Sequence, residues 1–201
     1  MKPTRIIPIN FSALSQLNLK DLSDDFSFEQ KSLILLLQSL AEKNESIEKY
    51  TEAAENCAGI ISIVQNTNFK ESNKINHSCH SDARQSVLPE LKPSITGETT
   101  SQQPDTTLSE SLHPKTIKMK YLASLQALHG YFNQKASKYV LAEASYQFAL
   151  KALKQIALPE NTALETMVLN NLYILYQDTG KVYQSSLIFS RISKLQSKYF
   201  K

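Results

Sequence analysis

The chain has 201 residues, of which 41% are hydrophobic and 20% charged, with four glycines and a formal net charge of +3. Such a composition describes a mainly helical protein with enough apolar residues for one modest core, in one or two domains. The longest apolar run, Leu33 to Leu37, has five residues, against the roughly 20 needed to cross a bilayer, so no membrane span is expected.

Residues 1–25 are expected to be a flexible N-terminus. The first 20 residues lack acids and carry Lys2, Arg5, Lys20 and two serines, a composition that resembles a mitochondrial presequence. Pro3 and Pro8 interrupt the amphipathic helix such a signal needs. A cytoplasmic location is therefore the expectation and a mitochondrial one the alternative. Cys57 falls on an apolar helical stripe and Cys79 in a polar stretch, which with no signal peptide points to a reducing compartment.

Residues 26–65 read as a helical hairpin. Ser27 followed three residues later by Gln30 is a capping box, which satisfies the first free amides of a helix. Leu33, Leu36, Leu37 and Leu40 supply the apolar positions of that helix, and Asn44 to Ser46 form a polar break. Tyr50, Ala53, Cys57 and Ile60 then repeat at helical spacing.

Residues 66–115 are rich in Ser, Thr, Asn, Gln and Pro and have no sustained period. A stretch with so few large apolar side chains cannot offset the entropy of ordering, and a long disordered linker or loop is expected. Two short apolar islands, Val87 to Leu91 and Leu108 to Leu112, interrupt it.

Residues 116–201 contain one pattern twice, at a step of 43 to 44 residues. In the first copy Leu125, Leu128 and Phe132 mark one helix, and Tyr139, Ala142, Tyr146, Ala149 and Leu150 the next. In the second, Leu169, Leu172, Tyr173 and Tyr176 precede Gly180, then Ser185, Phe189 and Ile192 follow. A 3.6-residue period interrupted once reads as two antiparallel helices, and the longer step of the first helices asks for one extra residue in the first turn. Small side chains, Ala142 and Ser185, let the second helix approach the first, and the aromatics Tyr146 and Phe189 fill the space behind them.

The segments Leu169 to Val182 (LNNLYILYQDTGKV) and Lys138 to Leu153 (KYVLAEASYQFALKAL), with the LPENT connector from Leu158 to Thr162, resemble the tetratricopeptide repeat family in its longer-period, kinesin-light-chain form. Residues 26–65 fit a degenerate copy of the same unit, since Tyr50, Ala53, Cys57 and Ile60 share its second-helix offsets. The stretch from Glu48 to Ala54 also resembles the small three-helix domain that binds microtubules or trafficking factors.

The tetratricopeptide resemblance implies an all-α fold of antiparallel helix-turn-helix repeats in a right-handed superhelical stack, broken by the long loop. It also implies a concave groove lined by first helices, with peptide contacts at Gln126, Asn133 and Gln134 in one copy. In the other they are Met167, Asn170, Asn171, Ile174 and Gln177. An Asn amide offers two donors and an acceptor, suited to holding an extended backbone, which singles out Asn170 and Asn171. Repeat arrays usually need about three units, so residues 26–65 are expected to pack on the other two.

Charge is uneven along the chain. Residues 1–65 hold six Lys and Arg against nine Asp and Glu, whereas residues 116–201 hold eleven against four. Arg191, Lys194, Lys198 and Lys201 recur at helical spacing on the last helix and form a basic face suited to an acidic peptide or a solvated cap on the stack. No nucleic-acid motif accompanies it. The run from His77 to His80, HSCH, crowds three metal-type side chains into four residues, unlike the spaced pairs of a zinc site. With no nucleophile motif, phosphate loop or carboxylate pair, neither catalysis nor a metal or cofactor is expected. The expected function is a non-catalytic adaptor or scaffold that holds a partner peptide or helix; the alternative is an obligate structural subunit of a larger, trafficking- or cytoskeleton-type complex.

Overall fold

A computed structural model of the chain describes residues 26–67, 114–156 and 161–199, all within one compact unit. Among them there is no strand. Six helices form three hairpins: α1 (Phe28–Ser46) with α2 (Tyr50–Asn66), α3 (Pro114–Lys135) with α4 (Tyr139–Ile156), and α5 (Thr162–Asp178) with α6 (Val182–Tyr199). Each helix packs on its neighbours in sequence, and α3 also touches α5. This nearest-neighbour pattern is that of a helical repeat. None of these helices is long and apolar enough to cross a membrane.

The capping box forms as its spacing predicts. The Gln30 amide donates to Ser27 Oγ (3.2 Å), and the Ser27 amide donates to Gln30 Oε1 (2.9 Å). The break between α1 and α2 falls at residues 47–49, just after the polar stretch at Asn44 to Ser46.

All three hairpins turn in the same way. Glu48, Ser137 and Gly180 have φ of 60°, 59° and 69°, each two residues before the second helix. Their amides donate to the carbonyls of Glu45, Gln134 and Gln177. The next residue, a lysine each time, donates to Asn44, Asn133 and Tyr176. These paired bonds are the Schellman closure of a helix, which needs a left-handed residue at its corner. Ser137 therefore does in the second hairpin what Gly180 does in the third. Both turns have three residues, so the extra residue expected in the first copy is not there, and the two hairpins correspond at a constant step of 43 from Ser137 to Gly180. The pattern of apolar residues alone could be slid by one position, whereas the corner residue cannot.

The corresponding positions pack accordingly. Ala53, Ala142 and Ser185 are all buried at the helix crossing, and Cys57, Tyr146, Ile60, Ala149 and Ile192 lie in the core. Gly130 in α3 shows why the crossing is close: a Cβ added there would stand 2.6 Å from Tyr146 Cδ1. The third hairpin sets Tyr173 at the position of Gly130, and its ring meets Phe189 at 5.9 Å between centroids.

The first hairpin does pack on the second, through α2 and α3. Cys57 Sγ donates to the Leu125 carbonyl (3.3 Å), and Gln38 Nε2 donates to Tyr121 Oη (3.1 Å). In α1 the buried residues are Ile34 and Ala41, whereas Leu33, Leu36 and Leu40 are exposed, contrary to the expected leucine stripe. Those leucines share a face that no described helix covers. The LPENT connector is described only from Asn161, which precedes α5 without a side-chain cap. The expectations for residues 1–25, for linker residues 68–113, and for His77 to His80 fall outside the described residues, whereas the expected linker ends are helical, Asn66 closing α2 and Pro114 opening α3.

Candidate protein-binding surfaces

The structure separates the residues expected to line a groove. Asn133, Gln134, Asn171 and Ile174 are buried; Gln126, Met167 and Asn170 are half-buried; Gln177 is exposed. The buried amides are used inside the fold. Tyr146 Oη donates to Gln134 Oε1 (2.8 Å), Gln134 Nε2 donates to the Asn171 carbonyl (3.4 Å), and Asn133 Nδ2 donates to the His129 carbonyl (2.9 Å). Asn171 also bonds the Tyr146 hydroxyl, and burial drives the Tyr146 phenol far above its ordinary range. Gln134, Tyr146 and Asn171 form a polar network that joins α3, α4 and α5. A buried amide costs free energy unless bonded, so Gln134 and Asn171 tie the repeats together, Asn133 is spent within α3, and none of the three is open to a peptide. Gln177 Nε2 likewise donates to Ser185 Oγ (2.6 Å), across its own hairpin.

The basic face is also partly spent. Arg191 pairs with Glu165 of α5. Lys194 and Lys198 are exposed, and Lys201 lies outside the described residues. Lys181 pairs with Glu143 of α4, which also accepts from Tyr176 Oη (3.0 Å). The lysine's own turn is thereby anchored to the preceding hairpin.

A concave feature among the described residues lies elsewhere, between the second helices α2 and α4. Two adjoining hollows of about 290 and 210 Å³ share Gln65, Gln126 and Phe148 and make one trough. Its walls are Ala58, Ile61 and Ser62 on one side and Leu141, Ala144 and Phe148 on the other. Ala58, Ser62 and Ala144 are small, which holds the trough open, while Phe148 stands 59% exposed at its rim. From Leu141 to Gln155 the wall of α4 runs about four helical turns, or roughly 20 Å.

The floor comes from α3 and includes Gln126 and His129. Ser145 Oγ donates to the Leu141 carbonyl (2.8 Å), so the imidazole Nδ1, 2.8 Å away, is the donor to Ser145 and Nε2 is left as an acceptor. Burial, helped by the positive charge of Lys138, lowers the His129 pKa and keeps the ring neutral. Lys151 borders the far end. The trough is thus mainly apolar, with an amide and an imidazole at its base and a cation at one end. Of the expected groove residues it contains Gln126 alone. The signal that sequence reasoning overlooked was Ala58, Ser62 and Ala144: small residues at solvent-facing positions of two second helices.

No family model, curated protein or solved structure matches this chain.

Proposed function

We propose that the chain is a non-catalytic adaptor, a tetratricopeptide-like stack of three hairpins that holds a segment of a partner protein. The observation that carries this reading is the open trough between α2 and α4, apolar along its walls and polar at its base. A trough whose α4 wall is about four turns long suits a short amphipathic helix, whose large side chains enter between Phe148 and Ile61. Gln126 and His129 would fix its register through one hydrogen-bonding side chain, and Lys151 would favour an acidic residue at one end. The right-handed superhelical course of the stack belongs to the same proposal, as does a cytoplasmic setting.

Affinity capture with the wild-type chain and two variants tests the assignment. Phe148→Asp places a charge at the rim of the trough, whereas Asn170→Ala alters the first-helix face. A specific partner lost in Phe148→Asp and retained in Asn170→Ala supports the trough. The same partners in all three samples reject it.

The alternative, an obligate subunit of a larger complex, is favoured by Val140, Val182, Tyr183 and Leu187, which stand 54% to 82% exposed at the starts of α4 and α6. Aggregation of the isolated chain, relieved only by a co-expressed partner, would favour that reading.

A further inference from the structure

The two ends of the hairpin stack are finished differently. At the C-terminal end, α6 turns Ser186, Ser190, Ser193 and Ser197 to solvent. By the 43-residue step that takes Ser137 to Gly180, Ser186 and Ser190 stand where Glu143 and Gln147 of α4 bond Tyr176 of the next hairpin, and Ser193 stands where Leu150 is buried. The junction residues of the last helix are therefore polar, as a terminal repeat requires.

At the N-terminal end they are not. Leu36 corresponds to Leu125 and Val168, which have no exposed surface, and Leu40 corresponds to His129, which is half-buried against α2, and to Leu172, which is 2% exposed. In α3 and α5 these positions lie at the junction with the preceding hairpin, whose second helix, α2 or α4, packs there. In α1 there is no such helix among the described residues, and Leu33, Leu36 and Leu40 are 45%, 56% and 39% exposed. A second copy joining head to tail would set the serines of its α6 against this stripe, a mismatch of polar with apolar surface.

We propose that the chain's own residues 11–17 cover the α1 stripe. Twenty-five residues precede the described part of the chain, which enters α1 through the buried Phe26. Within them, Phe-Ser-Ala-Leu-Ser-Gln-Leu, from Phe11 to Leu17, repeats the pattern of Phe-Ser-Arg-Ile-Ser-Lys-Leu, from Phe189 to Leu195. In α6 that pattern places Phe189, Ile192 and Leu195 toward the core and Ser190 and Ser193 toward solvent. An element with one apolar side and one serine side is what closes an end of the stack. Ten residues, 18–27, connect it to α1, whereas the junction between α4 and α5 uses five, 157–161, so the segment has length enough to reach the stripe. Tethering spares it most of the entropy of finding that surface.

Hydrogen exchange on the full chain tests this, with Leu14→Asp/Leu17→Asp and Leu36→Asp as variants and sedimentation at two concentrations alongside. The expected result is slowed exchange at residues 11–17 in the wild type. That protection is lost in both variants, each of which also speeds exchange along α1. The stability losses of Leu14→Asp/Leu17→Asp and Leu36→Asp should combine to less than their sum when all three are present, because each breaks the same contact. Exchange of residues 11–17 at the unprotected rate in the wild type overturns the proposal, as do additive losses. Protection that vanishes on dilution, with a matching fall in sedimenting mass, assigns the stripe to a second copy and overturns it too.

Discussion

Replacing Gly130 with alanine sets two effects of known size against each other. In the middle of a helix, Ala is favoured over Gly by about 1 kcal/mol, so helix propensity alone predicts stabilisation. The added carbon, however, lies 2.6 Å from Tyr146 Cδ1 and 2.7 Å from Cε1, where an ordinary carbon contact is about 3.5–4.0 Å. The ring must retreat by roughly 1 Å, and overpacking of this kind costs about 1–3 kcal/mol. Tyr146 has no exposed surface, and its hydroxyl is bonded to Gln134; loss of that bond adds about 1 kcal/mol. Gly130→Ala should therefore destabilise the chain by about 1–3 kcal/mol, which at roughly 3–5 °C per kcal/mol lowers Tm by several degrees. Gly59→Ala is the matched control, since its Cβ would meet only the end of the Leu37 side chain, at 3.1 Å. That tip can move aside, and the variant should be neutral or stabilised by up to about 1 kcal/mol. Thermal melts followed by far-UV circular dichroism give both values. If Gly130→Ala melts as high as Gly59→Ala, close helix approach at this crossing is not what holds the second hairpin together.

Three further outcomes follow from the same contacts. Glu48→Gly and Ser137→Gly relieve a left-handed corner and should each add about 0.5–1 kcal/mol, whereas Gly180→Ala should cost about 1 kcal/mol, all read from urea midpoints. Tyr146→Phe leaves the Gln134 amide oxygen without its donor and should cost about 1–2 kcal/mol in the same assay, with no change in helix content. His129 has its pKa lowered from 6.5 by burial, so below that value the unfolded chain binds the proton first. Stability at this site is fully present above pH 6.5 and declines as pH falls toward the lowered folded value. Urea midpoints taken across that window should show a slope that His129→Gln removes; an unchanged slope would place the titration elsewhere.

Local pattern determined much of this protein. The capping box at Ser27, the hairpin pairing past residue 114, and the small and aromatic positions Ala142, Tyr146 and Ser185 were legible because helical spacing and turn chemistry act over a few residues. The packing of the first hairpin on the second followed from the need of short repeats for neighbours. Other features depended on which face of a helix meets which neighbour, and periodicity gives the angle between residues without naming the side that is covered. So Leu33, Leu36 and Leu40 read as core although no described helix precedes α1, and Asn133, Gln134 and Asn171 read as a groove although Gln134 and Asn171 bond across helices and Asn133 bonds within its own. Gly130 passed as an ordinary helical residue because its role exists only against the Tyr146 ring. The trough between α2 and α4 likewise arises from two helices far apart in the chain, and only their packing on α3 brings Ile61 and Phe148 to face each other.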